Sequence, residues 1–179
     1  MSNNNYTAFL RGINVGGHHK VPMVELKKLF ESLNFVQVKT FLNSGNINFE
    51  SPNQIFVEEL ENILETAIEN KFGFKVPVIV RKKNEILTLV NSNPFKNVAI
   101  TSQIRLYVSF FKKVPKQHLN LTSNDENAAF RILEITNKHI CSVLDLDKNS
   151  SIAAMDIIEK FYGSQNLTTR NWNTILKVV

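Results

Sequence analysis

The chain has 179 residues, 43% of them hydrophobic and 21% charged, the balance of an ordered globular protein and not of a disordered or fibrous one. Its single cysteine, Cys141, rules out an intramolecular disulfide and, with no second sulfur ligand, a zinc knuckle. The formal charge of +5 has its basic excess in residues 82–179, which suits an acidic partner, but the lysines there stand singly or in pairs between apolar residues, as on an ordinary solvated face.

The polar start (Ser2, Asn3, Asn4, Asn5) has no basic segment leading into an apolar run, and no apolar run approaches membrane length, so a cytoplasmic protein with no membrane contact is expected. Tyr6 to Leu10 alternates as a strand and runs straight into Arg11-Gly12-Ile13-Asn14-Val15-Gly16-Gly17. Met23, Leu26, Leu29, Phe30 and Leu33 recur at helical spacing after Pro22, which suits a first helical turn. Two short strands flank Ser44-Gly45-Asn46, a two-residue hairpin signal, because glycine and asparagine accept positive φ. A helix is predicted over residues 53–72, stopping at Gly73, and then a strand over 76–81. The order β-α-β-β-α-β is that of the ferredoxin-like split βαβ unit, in which the third strand lies between the first two and antiparallel to both. Gly12 should then lie beside Gly45, with Arg81 at the opposite edge.

The second half reads as a short helix over 84–90, strands over 105–111, 130–136 and 139–144 with Asn137-Lys138 as a turn, and a helix over 151–162 that stops at Gly163. A last helix is predicted from about Arg170 to Val178, with Thr168-Thr169 as its N-cap pair. No Gly/Ser-rich linker intervenes, so residues 1–82 and 83–179 are expected as two rigidly packed α+β units, the second smaller, with antiparallel strands and C-terminal helices. No internal repeat is visible in the residues.

Tyr6-Thr7-Ala8-Phe9-Leu10-Arg11-Gly12-Ile13-Asn14-Val15-Gly16-Gly17, Val21-Pro22-Met23, Ser44-Gly45-Asn46, Val76-Pro77-Val78-Ile79-Val80-Arg81, Asn93-Pro94 and Thr168-Thr169-Arg170-Asn171-Trp172-Asn173-Thr174 resemble, in order, the hallmarks of a bacterial family, domain of unknown function 1697. The resemblance runs over nearly the whole chain. It implies a conserved cytoplasmic α+β protein with a ferredoxin-like part, and it carries over no activity, cofactor or catalytic residue.

The glycine loop has the Gly12 to Gly17 spacing of a Walker A motif, but His18 and His19 stand where Lys and Ser/Thr are required, so P-loop chemistry is not supported. Adjacent His18 and His19 diverge with no carboxylate nearby, His118 and His139 are isolated, and no acidic cluster is present, so no metal site is expected. Cys141 lies mid-strand without an activating base and reads as a buried thiol. Ser44 lacks the glycine-flanked elbow of a serine nucleophile. The leading expectation is a small anionic ligand, a nucleotide or phosphorylated metabolite, in a cleft between the halves. Arg11 and Arg170 would clamp the anion, Gly12, Gly16 and Gly17 would offer backbone amides, Lys20 would reach in, and Asn14, Ser44, Asn46 and Asn171 would orient polar groups. The alternatives are a nucleic-acid-binding module using the basic second half, although the third strand offers only Ile47-Asn48-Phe49, and an interaction protein whose loops are packing elements. No reaction and no cofactor follow from the residues.

Overall fold

A computed structural model describes residues 4–119, 128–148 and 153–179, with side chains throughout except at 153–155. The chain divides into two compact units, Met1–Thr88 with Lys177–Val179, and Leu89–Leu176. The division falls a few residues past the boundary expected at residue 82, and the last three residues return to the first unit, where Asn48 Nδ2 donates to the Val178 carbonyl at 2.7 Å.

In the first unit β1 (Asn5–Leu10), α1 (Met23–Ser32), β2 (Val36–Phe41), β3 (Asn46–Glu50), α2 (Val57–Phe72) and β4 (Val78–Lys82) form a sheet of order β2-β3-β1-β4 with its two helices. Every neighbouring pair is antiparallel, so β3 lies between β1 and β2 and opposes both. Strand alternation sends Tyr6, Ala8, Leu10, Ile47, Phe49, Val78 and Val80 into one apolar cluster, where Leu26 and Phe30 of α1 and Leu60, Leu64 and Ile68 of α2 meet them at helical spacing. β4 is an edge strand, and the outward N–H groups of such a strand invite pairing with another chain unless they are covered. Two carboxylates one helical turn apart close that edge: Glu65 Oε1 accepts from the Val78 N–H at 2.8 Å, and the buried Glu61 Oε1 from the Val80 N–H at 2.9 Å.

α3 (Lys83–Ser92) follows β4 at once, and β5 (Ile104–Phe111), β6 (Phe130–Ile135), β7 (His139–Asp145), α4 (Ala153–Tyr162), a 3-10 turn at Ser164–Asn166, β8 (Leu167–Asn171) and α5 (Trp172–Val178) complete the chain. The second sheet has the order β6-β7-β5-β8, again antiparallel at every pair. With β5 in the place of β1, β6 of β2, β7 of β3 and β8 of β4, this is the first sheet repeated. The register agrees: Leu10 pairs with Val78 and Phe111 with Leu167, and three residues on along each last strand stand Arg81 and Arg170. Each arginine donates through Nη1 to the carbonyl before it, Val80 O at 2.7 Å and Thr169 O at 2.9 Å.

Several expectations need correction. Arg170 does not open the final helix, because Leu167–Asn171 is a strand laddered on β5, with Thr168 opposite Phe110 and Thr169 opposite Ser109. β-branched threonines fit a pleated, half-buried surface as well as they fit an N-cap, and here pairing decides. The cap is Asn171, whose Oδ1 accepts from the Asn173 N–H at 2.9 Å. The β2–β3 turn is not a two-residue one but spans Leu42–Gly45, with Leu42 at φ 57. α2 starts at Val57 and not at 53, since Phe56 is extended (φ −65, ψ 145) and Tyr6 Oη holds the preceding Ile55 carbonyl at 3.2 Å. Ser151 and Ile152, expected in the fourth helix, lie outside the described residues.

Candidate functional site

The end of β1 and the β2–β3 turn meet as the topology requires: Leu10 N–H donates to the Gly45 carbonyl at 2.8 Å, and Arg11 N–H to Pro77 O at 2.9 Å. Gly45 sits at φ +72, where a Cβ would lie 2.7 Å from Leu10 Cβ and from Ile13 Cδ1. Close approach of two backbones, more than ligand access, is what this glycine provides.

The asparagines expected to orient a ligand are occupied by the fold. Asn14 Nδ2 donates to Val21 O at 3.0 Å and to Asn43 O at 2.8 Å, while its Oδ1 accepts from Val21 N–H at 2.9 Å. Asn46 is fully buried, and its Nδ2 donates to Phe41 O at 3.0 Å and to Ser44 Oγ at 2.9 Å. Asn and Ser side chains characteristically bind nearby backbone in this way, which braces a loop and consumes their polarity. Gly16 and Gly17, at φ 59 and 78, are the tip of a turn in which His18 N–H donates to Val15 O at 3.1 Å. Two successive left-handed residues are the geometry of a type I′ turn, which glycine adopts without strain. His19 stacks on Phe74 with centroids 4.6 Å apart and places Nδ1 3.3 Å from Gly12 O. The loop is thus a self-braced hairpin with Gly12, Gly16, Gly17 and Lys20 exposed at its surface and Arg11 half-buried at its root. Arg170 and Asn171 belong to the second unit, where Arg170 Nη1 also donates to Thr168 Oγ1 at 2.8 Å.

The second unit holds a cavity of about 530 Å³ that the sequence reading missed, walled by Phe111, Phe161 and Tyr162 and rimmed by Lys113, Val114 and Lys116. Its floor is rigid. Tyr162 packs edge-on against Phe111 at 4.7 Å and against Phe161 at 4.8 Å, and its Oη accepts from the Leu119 N–H at 2.7 Å. Asn166 Nδ2 donates to Tyr162 O at 2.9 Å, and Lys112 N–H to Asn166 O at 2.7 Å. The legible signal was the pair Phe161-Tyr162: neighbours on a helix project about 100° apart, so a single core stripe cannot take both rings. Phe161 is 45% exposed accordingly.

Cys141 is not a nucleophile in this environment: burial, with a smaller push from the Glu134 carboxylate, raises its thiol from 9.0 to about 12. Burial also works against the Arg81 charge, which Glu61, Glu85 and Glu58 sustain. No helix among the described residues is long and apolar enough to cross a membrane.

Against this geometry the comparisons with known proteins are informative about fold. A family model described as protein of unknown function DUF1697 matches residues 3–140. No curated protein matches the chain. Among solved structures, the conserved bacterial protein SP0830 from Streptococcus pneumoniae is similar over 97% of this chain and 96% of its own, with a TM-score of 0.72 at 22% identity, a likeness of fold alone.

Proposed function

Because the chain belongs to the DUF1697 family, whose description assigns no activity, we propose from the site itself that it binds a small anionic metabolite bearing an aromatic ring, of the nucleotide class, in the cavity of the second unit. The observation that carries this reading is the exposed Phe161 ring beside Lys113 and Lys116 on a wall fixed by Tyr162. A base stacked on an aromatic ring gains about 1–3 kcal/mol, and lysine ammonium groups at the rim complement phosphate. The volume falls within the roughly 300–1,000 Å³ common for small-molecule sites. The glycine loop then serves as a brace, and the function is binding with no catalytic step assigned.

The experiment is a panel of nucleoside mono-, di- and triphosphates and sugar nucleotides, read by thermal shift and by calorimetry at two salt concentrations. A member present at about 100 times its dissociation constant adds about 2.7 kcal/mol to stability. Phe161→Ala should weaken that ligand at least about fivefold, as loss of one stacked base requires, and Lys116→Ala should weaken it also. A panel without a binder, or a binder indifferent to both substitutions, overturns the reading. Binding to RNA that collapses steeply with salt would instead favour a nucleic-acid module on the basic second half, since affinity built on many phosphate contacts falls with counterion release.

A further inference from the structure

The β6–β7 hairpin carries a constellation that the ligand cavity does not use. His139 and Cys141 stand two apart on β7 and therefore on one face. Glu134 of β6 is the register partner of Cys141. That pairing depends on a bulge, because the register shifts between Ile132 and Glu134 and Leu133 is the additional residue. With the regular register continued from Ile132 opposite Ser142, Glu134 would oppose Ile140 and point to the other face. That face is apolar, its Ile132, Ile135 and Ile140 packing with Phe111, Ile158 and Leu167. The bulge turns the carboxylate to the thiol instead, the effect bulges have on a side chain's direction.

The donor atoms converge. His139 Nε2 lies 3.6 Å from Glu134 Oε1, and one ligand atom from each of Glu134, His139 and Cys141 lies within 4.8 Å of the other two. A tetrahedral zinc with bonds of about 2.0–2.3 Å holds its ligand atoms about 3.3–3.8 Å apart, so side-chain adjustments of about 1 Å close the set. His139 Nδ1 lies 3.3 Å from Thr136 Oγ1. That contact orients the ring, with Nε2 directed toward Glu134. Thiolate, imidazole and carboxylate together suit Zn²⁺ and disfavour the hard cations Mg²⁺ and Ca²⁺.

We propose that Glu134, His139 and Cys141 form a Zn²⁺ site on the second sheet, three protein ligands leaving a fourth position for water. The Cys141 thiol yields its proton to solvent as the Zn–S bond forms, and Thr136 acts as a positioning residue through His139.

The test uses the full chain freed of metal with a chelator. Zn²⁺ is added by equilibrium dialysis, and Co²⁺ separately while the thiolate-to-cobalt charge-transfer absorption is followed. One Zn²⁺ per chain and a charge-transfer band that Cys141→Ser abolishes are expected. His139→Gln and Glu134→Gln should each weaken Zn²⁺ by more than about 100-fold, and Thr136→Val by about 10–100-fold, the range for an outer-shell partner. His18→Ala, in the exposed glycine loop, should change nothing. Absence of stoichiometric metal, a cobalt complex without the thiolate band, or affinity unchanged by His139→Gln overturns the proposal. The histidine variant decides the matter should Cys141→Ser fail to fold.

Discussion

Gly45→Ala tests whether the junction between β1 and the β2–β3 turn is as tightly built as its geometry indicates. Two costs arise. Holding a residue with a Cβ at φ +72 costs about 1–2 kcal/mol, since the left-handed region crowds Cβ against the following carbonyl. The new methyl also meets Leu10 Cβ and Ile13 Cδ1 at 2.7 Å, and Leu10 Cβ, bonded directly to the backbone, cannot swing aside, so overpacking of about 1–3 kcal/mol follows. Together these give about 2–5 kcal/mol, a fall in melting temperature of about 4–20 °C for a chain of this size. Gly17→Ala supplies the internal control, because at φ +78 it carries the same backbone cost but has nothing within 4 Å of the added Cβ. Urea denaturation followed by far-UV circular dichroism measures both, with equal m-values confirming that only stability has changed. If Gly45→Ala proves no more destabilising than Gly17→Ala, the close approach of Gly45 to Leu10 and Ile13 is not what fixes this turn.

Glu61→Ala leaves the Val80 N–H of edge strand β4 without its acceptor and takes a carboxylate from the buried Arg81, so it should cost at least about 1–3 kcal/mol; it should also promote concentration-dependent association seen by light scattering, and a variant that does not associate would refute the edge-closing role. Metal-free Cys141, fully buried and raised to about 12, should resist iodoacetamide at neutral pH until the chain is unfolded, as read by mass spectrometry. Its folded pKa lies above the ordinary 9.0, so its contribution is complete below pH 9 and is lost as the pH climbs toward 12, at up to about 1.4 kcal/mol per unit, and Cys141→Ala should flatten that slope.

The amphipathic elements were legible because their apolar spacing is itself the cause of their burial: Leu26 and Phe30, or Leu60, Leu64 and Ile68, allow one face only. Thr168 and Thr169 were not, because a cap and a strand ask for the same residues and only the ladder on β5 separates them. Asn14 and Asn46 are ambiguous for a related reason, since a loop that binds itself and a loop that binds a ligand share a composition, and only the structure shows the hydrogen bonds of Asn14 to Val21 and of Asn46 to Phe41. Glu134 was invisible beside Cys141 because a one-residue bulge exchanges the faces of a strand and leaves no mark on periodicity.

The duplicated sheet separates what the scaffold requires from what one unit has added. Thr7 and Val108, or Ala8 and Ser109, hold equivalent registers with unlike side chains, which is why no repeat shows in the residues. Arg81 and Arg170 recur with the same bond to the preceding carbonyl, so that bond is a feature of the shared fold. The bulge recurs too, between Val36 and Lys39 of β2, where it sets Lys39 opposite Asn48 as the later one sets Glu134 opposite Cys141. A device present in both units is architecture, and its presence alone says nothing of a metal. The chemistry lies in what the equivalent positions hold. The first unit places Lys39, Asn46 and Asn48 there, a cation and two amides that no divalent metal would choose, whereas the second places Glu134, His139 and Cys141, three good ligands of differing type. The zinc proposal therefore rests on residues confined to one half of a repeat, and grafting them as Lys39→Glu, Asn46→His and Asn48→Cys would ask whether the shared backbone alone can build the site.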